Sequence, residues 1–256
     1  MNCSDRHYMK KNIIIVGATS GIGREVARIL AGEGWKVGAV GRREELLESL
    51  KGEFEEGRVL TAVADVKQES AVEAVSGLAE RMGGMDVFFL SSGIGSQNAN
   101  LDVETEMRIV KTNCEGFTRM TTFAFNYFKE RQRGGWDGRG HVAVISSIAG
   151  TKGLGIAPAY SATKRFQNTY VEALSQLASI EGLKIDFTDI RPGFVKTELL
   201  KQTNYPMLMT VPPVARSIVS AIKKRKHTAT IDWRFRVLVG FWRLIPRWLW
   251  IKLKVR

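Results

Sequence analysis

The sequence predicts an α/β protein built on a doubly wound parallel sheet, with helices on both faces. Short apolar runs alternate along the chain with stretches of helical periodicity, and this alternation is typical of βαβ units. The 256 residues are enough for one sizeable core, and no linker or internal repeat divides them. We therefore expect a single domain over residues 1–232, with residues 233–256 as a short amphipathic helical extension of it.

Six strands are predicted as short apolar runs, at residues 12–16, 36–40, 59–64, 86–90, 141–146 and 184–190. Five helices are predicted where apolar residues recur every three or four positions, at residues 24–31, 44–50, 69–82, 103–129 and 160–180. Gly32 and Gly34 end the first helix, since glycine commonly follows a helix C-terminus. Beyond residue 190 the periodicity assigns no further strand.

Charge is concentrated towards the C-terminus. The net charge is +12, and residues 211–256 hold twelve Lys or Arg against one acid, Asp232, which leaves +1 on the other 210 residues. Cys3 and Cys114 match no metal-ligand spacing and no disulfide framework, so we expect no metal and a cytoplasmic location. Residues 1–11 lack the apolar stretch of a secretory signal, and no run of 18 residues is free of charge.

A glycine-rich turn, G-A-T-S-G-I-G at residues 17–23, joins the first predicted strand to the first helix. Because Gly17, Gly21 and Gly23 carry no side chains, the backbone can approach a pyrophosphate, which the helix N-terminus attracts. Such a sequence on its own could be an ordinary tight turn. Its position between the first strand and the first helix of an alternating series indicates a dinucleotide site.

Tyr160 and Lys164 lie four residues apart in a predicted helix, which places the phenol and the ammonium on the same face. A cation beside a phenol favours the phenolate, so Lys164 is expected to lower the pKa of Tyr160. Ser147, thirteen residues before Tyr160, carries a hydroxyl that could hold a substrate oxygen. On its own the pair could be a helix aromatic with a solvated neighbour. With the glycine turn, it indicates a dinucleotide-dependent oxidoreductase that uses a tyrosine as its acid.

These motifs, in this order, resemble the short-chain dehydrogenase/reductase family in its classical form, over residues 10–231. The resemblance is carried by G-A-T-S-G-I-G at 17–23, Asp65-Val66, Asn113, I-S-S-I-A-G at 145–150, Y-S-A-T-K at 160–164 and R-P-G-F-V-K-T at 191–197. It implies a Rossmann fold and hydride transfer between a nicotinamide and a carbonyl or secondary alcohol. It also implies a homodimer or tetramer formed through the helices near 103–129 and 160–180.

The resemblance implies a role for individual residues. Tyr160 matches the general acid/base and Ser147 the serine that binds the substrate oxygen, with the neighbouring Ser146 as the alternative. Lys164 would bind the nicotinamide ribose, and Asn113 would support a proton-relay water. The cofactor contacts implied are Gly17, Thr19, Ser20, Gly21, Ile22, Gly23, Asp65, Val66, Ser92, Gly93, Tyr160, Lys164, Pro192, Gly193, Val195 and Thr197.

Two departures from the family pattern lie near the expected cofactor. Residues 91–94 read Ser-Ser-Gly-Ile where the family has Asn-Asn-Ala-Gly, and Val16 stands where the family prefers threonine. The first change keeps small side chains, which leaves room for the cofactor beside the sheet. Neither change alters a residue of the chemical step.

The end of the second predicted strand bears on the choice of cofactor. An acid there would bind the ribose 2′-hydroxyl of NAD, but Gly41 is neutral and Arg42 carries a guanidinium suited to a 2′-phosphate. We therefore expect NADP(H) to be preferred over NAD(H). The alternative is that Arg42 and Arg43 form a solvated helix entry.

Residues 233–256 combine tryptophans with basic residues. The tryptophans are Trp233, Trp242, Trp248 and Trp250, and the basic series is Arg236, Arg243, Arg247 and Lys254. The spacing of that series places its members within about 40° on one helix, and Pro246 is expected to start a second short helix. This composition suits an interfacial helix on an anionic membrane, with a partner subunit or the substrate pocket as alternative contacts. No nucleic-acid-binding module accompanies the charge, so we expect no nucleic acid partner.

A lipid-binding extension would favour an apolar carbonyl substrate, such as a 3-keto lipid. The side chains that could cover such a substrate are Phe194, Leu199, Leu200, Met207, Leu208 and Met209. A competing function is an NADP-binding scaffold or sensor at a membrane surface, without turnover. Ser147, Tyr160 and Lys164 argue against it, because a scaffold needs no proton donor.

Overall fold

The computed structural model describes residues 11–198, 200, 205–253 and 255. The strands are β1 (Asn12–Val16), β2 (Lys36–Gly41), β3 (Val59–Val63), β4 (Val87–Leu90), β5 (Gly140–Ile145), β6 (Ile185–Pro192) and β7 (Thr228–Ile231). The α-helices are α1 (Gly21–Gly32), α2 (Glu44–Lys51), α3 (Ser70–Arg81), α4 (Val103–Val110), α5 (Phe117–Arg133), α6 (Pro158–Ile180), α7 (Val211–Lys223), α8 (Trp233–Leu244) and α9 (Arg247–Trp250). A π-helix (Lys111–Gly116) joins α4 to α5, and a 3₁₀-helix (Ile148–Thr151) precedes α6.

These strands form one sheet in the order β3-β2-β1-β4-β5-β6-β7, and every neighbouring pair is parallel. The predicted doubly wound parallel sheet is therefore confirmed. At the carboxyl end of β1, Val16 pairs with Val40 on one side and Leu90 on the other. The strand order reverses between β1 and β4, and in such sheets the crevice at this reversal is where ligands bind.

The core lies on both faces of the sheet. Ile13 and Ile15 of β1 join the core under α1 and α7, whereas Ile14 and Val16 join the core under α3, α5 and α6. A strand buried on both faces is apolar at every position. This is why the short apolar runs identified the central strands from the sequence.

Two segments differ from the elements that the sequence predicts. The long helix predicted over residues 103–129 is interrupted by the π-helix, which contains Asn113, and continues to Arg133. Single π-turns inside α-helices often lie at functional sites. The periodicity also assigned neither α7 nor β7, although Val214 and Ile218 of α7 are buried at helical spacing. β7 reads Thr-Ala-Thr-Ile and lacks the continuous apolar run that predicts the central strands.

The C-terminal segment folds back onto the sheet domain. Pro246 precedes α9 as its N-cap, which confirms the second short helix that this proline predicts. Phe235 and Val239 of α8 are buried. Lys254 of the predicted basic series lies outside the described residues. Within the described ranges, the helices lack the combination of length and apolar character that crossing a bilayer requires.

Candidate active site

The glycine turn lies at the carboxyl end of β1, wedged between β2 and the end of β4. The backbone N–H groups of Gly17 and Ala18 donate to the Val40 carbonyl oxygen at 2.8 and 3.0 Å. Gly17 has a φ of +97°, and a Cβ there would lie 2.7 Å from the backbone nitrogen of Ser92. A Cβ on Gly23 would overlap the Gly17 carbonyl oxygen. Both positions therefore require glycine for conformation or space.

The N-terminus of α1 is open to an anion. Gly21 begins the helix, Ser20 makes no side-chain cap, and the first turn contains no acid. The first N–H groups of the helix thus keep their attraction for negative charge. A Cβ on Gly21 would lie 3.5 Å from the Thr197 methyl carbon, so Thr197 lies across this helix end. Ile22 packs against the core under α1. These residues fit the pyrophosphate of a dinucleotide.

The end of β2 has no room for the acid that would bind a ribose 2′-hydroxyl. A Cβ on Gly41 would overlap the methyl carbon of Thr19. Arg42 is exposed, and its Nη1 lies 3.9 Å from Oδ2 of Asp65. The exposed guanidinium is therefore available to a further anion at this corner.

Arg43 is held more firmly than its neighbour. Its Nη2 donates to Thr19 Oγ1 at 3.1 Å and to Ser20 Oγ at 2.7 Å. Its Nη1 lies 3.2 Å from Glu198 Oε2, which also accepts from Ser20 Oγ at 3.1 Å. Arg43 thus stands at the entry to α2 and is tied to the glycine turn by these hydrogen bonds. The sequence alone did not identify this contact, because it depends on how β2 pairs beside the turn.

Asp65 and Val66 follow β3 at the same edge of the sheet. Oδ1 of Asp65 accepts from the backbone N–H of Lys67 at 3.1 Å, which is the geometry of an ordinary turn residue. Val66 is buried, and Arg119 donates to its carbonyl oxygen at 2.8 Å. A Cβ on Gly116 would lie 2.8 Å from a Val66 methyl carbon, so α5 begins directly against Val66.

Ser147 and Tyr160 face each other. Ser147 is the N-cap of the 3₁₀-helix, and its Oγ accepts from the backbone N–H of Ala149 at 3.1 Å. Burial raises the pKa of the Tyr160 phenol, and its hydrogen bond with Ser147 offsets part of that rise. The Tyr160 ring packs on Gly95, where a Cβ would lie 2.8 Å from two ring carbons. The phenol is therefore a protonated donor beside a second hydroxyl, which is the arrangement needed to bind and protonate a carbonyl oxygen.

Lys164 lies beneath Tyr160, and only 4% of its surface is exposed. Its Nζ donates to the Ile145 carbonyl oxygen and to Gln167 Oε1, each at 3.0 Å, and lies 5.8 Å from the centre of the Tyr160 ring. Burial lowers the pKa of Lys164 to about 8, although the charges of Asp189 and Cys114 favour the ammonium. The pKa of Tyr160 is raised by burial in this arrangement, whereas the sequence suggested that Lys164 would lower it.

Asn113 is fully buried. Its Nδ2 donates to the Ile94 carbonyl oxygen at 2.8 Å, and its Oδ1 accepts from the Ile94 N–H at 2.9 Å. Its backbone carbonyl oxygen accepts from Gln167 Nε2 at 2.9 Å. Gln167 therefore links Lys164 to Asn113. The sequence analysis missed Gln167, although it lies one helical turn from Lys164 on the same face.

The neighbouring serine, Ser146, is committed to other partners. Its buried hydroxyl donates to Asp189 and accepts from Asn168 Nδ2 at 2.7 Å. Arg191 Nε donates to the same Asp189 carboxylate at 2.7 Å. This geometry favours Ser147 over Ser146 as the serine that contacts substrate.

Two backbone segments connect the catalytic residues to the glycine turn. At the end of β4, Ser92 touches Gly17, while a Cβ on Gly93 would lie 3.5 Å from Nζ of Lys164. At the end of β6, the Pro192 carbonyl oxygen lies 3.5 Å from Ser147 Oγ, which donates to it. From there the chain runs through Gly193 and Val195 to Thr197. The Gly193 N–H donates to the Ile231 carbonyl oxygen at 2.9 Å, and Val195 pairs with Met209.

Aromatic residues lie in the loop that follows β6. The Phe194 ring stacks on Tyr205 with centroids 4.5 Å apart, and Tyr205 Oη accepts from Gln97 Nε2 at 3.0 Å. On its other side, the Phe194 ring meets Phe235 of α8 edge-on at 6.1 Å. Of the side chains predicted to cover a substrate, Leu199 lies outside the described residues. The loop after β6 thus joins the site to the C-terminal segment.

The predicted site residues form two neighbouring groups at the carboxyl edge of the sheet. The glycine turn, Arg42, Asp65 and Val66 lie at the ends of β1, β2 and β3, while the catalytic residues lie near the ends of β4, β5 and β6. This is one continuous edge, as the parallel strand order requires. Over the described part of the chain, no cluster of His, Cys, Asp and Glu is placed to hold a metal ion.

Known proteins resemble this chain in sequence and in fold. A family model described as short chain dehydrogenase matches residues 11–207. An uncharacterized oxidoreductase of Myxococcus xanthus is 30% identical over 243 residues, which cover 92% of this chain and 93% of that protein. The NADP-dependent 3-hydroxy acid dehydrogenase YdfG of Salmonella typhimurium is 34% identical over 187 residues, 72% of each chain. The structure of a 3-ketoacyl-(acyl-carrier-protein) reductase from Brucella melitensis, complexed with NADH, superposes with a TM-score of 0.76 at 27% identity, over 87% of this chain and 96% of that one.

Proposed function

We propose that this chain uses NADP(H) to reduce an apolar carbonyl substrate. The chain belongs to the short-chain dehydrogenase family and is an NAD(P)-dependent oxidoreductase acting on CH–OH groups. The observation that carries the catalytic assignment is the placement of the Ser147 hydroxyl near the Tyr160 phenol, with Nζ of the buried Lys164 5.8 Å from the centre of the Tyr160 ring. Bound NADPH supplies the hydride in this chemistry.

The protein groups divide the remaining work between them. The Ser147 hydroxyl binds the substrate carbonyl oxygen and stabilises the charge that develops on it. The Tyr160 phenol donates its proton to the same oxygen. Lys164 has three N–H donors and uses two of them for Ile145 and Gln167, which leaves the third for a ribose hydroxyl. Burial raises the pKa of Tyr160, so the phenol is protonated near neutral pH, which is the form that donates a proton during reduction.

The described residues provide places for the rest of the cofactor. The residues proposed to hold it are Gly17, Thr19, Ser20, Gly21, Ile22 and Gly23 around the pyrophosphate, Asp65 and Val66 around the adenine, Ser92 and Gly93 beside the ribose, and Pro192, Gly193, Val195 and Thr197 near the carboxamide. Asn113 is proposed to order a relay water, with Gln167 holding its carbonyl oxygen.

NADP(H) is the proposed cofactor because β2 ends in Gly41 without an acidic side chain and two arginines follow it. Thr19 fills the space that an acidic side chain at position 41 would need. Arg42 and Arg43 supply positive charge for a 2′-phosphate. The similarity to an NADP-dependent Salmonella enzyme points the same way, whereas the Brucella structure contains NADH.

Steady-state kinetics with both cofactors test this choice. We expect kcat/KM to be at least about tenfold higher with NADPH than with NADH, and Arg42→Ala to lower the NADPH value about tenfold while sparing NADH. Arg28→Ala is the matched control, since Arg28 is an exposed arginine on α1 paired with Glu53. A parent enzyme that favours NADH would contradict the proposal.

The proposal of an apolar substrate rests on the side chains of the loop after β6. Phe194 and Tyr205 are stacked there, and Met207 and Met209 follow in the same loop. Kinetics with ketones of increasing chain length test this, and kcat/KM should rise with length. A water-soluble short ketone as the best substrate would overturn it.

A second candidate is a membrane-surface NADP-binding scaffold or sensor without turnover. The complete set of Ser147, Tyr160 and Lys164 favours turnover, because a protein that only binds the cofactor needs no proton donor. NADPH binding without oxidation, across a broad panel of ketones, would favour the scaffold.

We also propose an oligomeric state and a location for the enzyme. Val103 and Met107 on α4, and Phe166 and Leu177 on α6, are exposed apolar side chains. They support a homo-oligomer formed through these helices, which sedimentation analysis would reveal as a mass of two or four chains. We place the enzyme in the cytoplasm, in peripheral contact with an anionic membrane through residues 233–256.

A further inference from the structure

We propose that α8 and α9 dock the enzyme onto an anionic lipid bilayer through one apolar face, and that docking brings the substrate side of the active site to the lipid. We call this face the docking face and define it as Trp233, Val237, Phe241 and Leu244. Lipid binding stands on its own observations. The route of the substrate from lipid to active site rests on the proposed function.

The docking face is a single stripe on α8. Its four side chains are 70%, 50%, 65% and 78% exposed, in chain order. Their spacing of 4, 4 and 3 residues aligns them along one side of the helix. Beyond the break at Pro246, Trp248 and Ile251 are also exposed, at 66% and 71%. Large apolar side chains exposed together in this way mark an interaction surface, unlike the isolated ones that most proteins show.

The opposite side of α8 is already used by the fold. Phe235 and Val239 are buried, and the Phe235 ring meets Phe194 edge-on. A Cβ on Gly193 would overlap that ring, so the helix sits directly on the loop after β6. The helix is therefore apolar on two sides, and only the inner side is explained by folding.

The charges around the docking face identify its partner as anionic. Arg236, Arg243 and Arg247 are exposed, and residues 233–256 contain no acid. The preceding Asp232 is paired with Arg234. Basic residues beside exposed tryptophans suit the headgroup region of an anionic bilayer, where charge and apolar burial add.

The same charges disfavour a second copy of the chain as the occupant. A symmetric pair places the same patch of each protomer against its equivalent. Arg236 and Arg243 would then approach their own counterparts with no acid from either segment to separate them, which opposes such pairing. A nucleic acid would use the arginines but would leave the apolar face without a partner.

The inner contacts of α8 and α9 join the segment that carries the docking face to loops near the active site. Lys152 Nζ donates to the Ile245 carbonyl oxygen at 2.8 Å, and Trp250 Nε1 donates to the Gly153 carbonyl oxygen at 2.8 Å. The Phe235 ring contacts Phe194 in the loop after β6. The segment that would rest on lipid therefore anchors two loops near the active site, the one that contains Lys152 and Gly153 and the one after β6. An apolar substrate could then pass from the bilayer into the site.

Vesicle sedimentation of the full chain tests the docking. We expect binding to phosphatidylcholine vesicles that contain phosphatidylglycerol, weak binding to pure phosphatidylcholine, and weakening by salt. The combined variant Trp233→Ser, Phe241→Ser and Leu244→Ser should bind anionic vesicles at least about tenfold more weakly. Ile180→Ser is the matched control for Leu244→Ser, because Ile180 is 75% exposed at the far end of α6.

Each outcome decides the proposal. Absence of binding by the parent, or equal binding by the parent and the triple variant, would overturn it. Dissociation of an oligomer by the triple variant, with vesicle binding unchanged, would instead assign the face to a protomer interface. Thermal unfolding monitors the fold in every variant, and little change is expected because the three side chains are exposed.

Failure of docking and failure of the proposed function are distinguishable. Tyr160→Phe should bind vesicles like the parent while losing turnover, and the triple variant should reduce a water-soluble ketone like the parent. Anionic vesicles should raise the kcat/KM of the parent for a long-chain ketone carried in them, relative to neutral vesicles. The triple variant should lose that gain. Vesicle binding by the parent without the gain would overturn the substrate route alone.

Discussion

Lys164 in the catalytic centre and Arg236 beside the docking face are both cations on helices, but their surroundings are opposite. Lys164 is buried, and its ammonium donates 3.0 Å hydrogen bonds to Ile145 and Gln167. Arg236 is exposed, on a helix that presents four large apolar side chains to solvent. A buried charge needs internal acceptors because desolvation without them is costly, whereas an exposed guanidinium keeps its water.

The contrast extends from these two side chains to the regions around them. In the catalytic centre, each polar group has a defined partner within the fold, so a small substitution should change the rate of the reaction. On the docking face, the apolar groups have solvent as their neighbour, so substitution should change where the enzyme resides. The two regions should therefore be separable by mutation, although α8 joins them physically through Phe235 and Phe194.

The largest effect is expected from Tyr160→Phe. The substitution removes the proposed proton donor but keeps the ring that packs on Gly95. We expect kcat to fall about 10²- to 10⁴-fold, the range for loss of a general acid, with the free energy of unfolding nearly unchanged. NADPH oxidation with a reactive ketone, beside chemical denaturation, measures both.

Tyr170→Phe provides the control for that variant. Tyr170 lies on the same helix, and its hydroxyl is 2.9 Å from Thr122 Oγ1, outside the site. Its loss should leave kcat within a few-fold of the parent. Near-normal turnover in Tyr160→Phe would remove this tyrosine from the mechanism, and a parallel loss of vesicle binding would break the separation of the two regions.

The two faces of α8 supply the next contrast. Phe235 is fully buried and meets Phe194, so Phe235→Ala should lower the free energy of unfolding by about 3 kcal/mol or more. It should also raise KM, because the loop after β6 loses its support. Phe241→Ala removes an exposed ring and should cost less than about 0.5 kcal/mol. Urea denaturation compares them, and equal losses would mean that the outer face also packs within the protein.

Substitutions of the two adjacent serines should separate an effect on kcat from an effect on stability, with smaller expected changes than those above. Ser147→Ala removes the hydroxyl beside Tyr160 and should lower kcat about 10²-fold, with little effect on stability. Ser146→Ala leaves the buried Asp189 without one of its donors and should cost about 1–3 kcal/mol of stability, with most activity retained. The reverse pattern, with activity lost only in Ser146→Ala, would transfer the substrate contact to Ser146.

The fold and the main site residues could be predicted because they depend on local pattern. Strands buried on both faces are apolar throughout, and Ser147, Tyr160 and Lys164 have a spacing that places them together once the elements are known. The contacts of Arg43 and Gln167 could not be predicted in this way. Each joins elements distant in sequence, so it depends on strand pairing and on rotamers that periodicity does not encode.

The C-terminal segment shows the same limit. Its composition indicated a membrane, and Pro246 correctly predicted a break between two helices. Which apolar residues face solvent could not be read from a helix that is apolar on two sides. Only the burial of Phe235 against the loop after β6 identifies the inner face and, by exclusion, the outer one.

The pH dependence of the reaction decides between the two accounts of Tyr160. Burial raises the pKa of the phenol, whereas the sequence suggested that Lys164 would lower it. With a raised pKa, the phenol stays protonated across the neutral range, so its titration should not make reduction depend on pH there. Oxidation of the alcohol needs the phenolate as base, so its kcat/KM should rise about tenfold per pH unit over the same range.

A bend in the oxidation profile near pH 8 would report loss of the Lys164 charge, whose pKa is lowered to about 8. An oxidation rate independent of pH between about 7 and 9 would show that the phenolate is already formed, and that Lys164 outweighs burial after all.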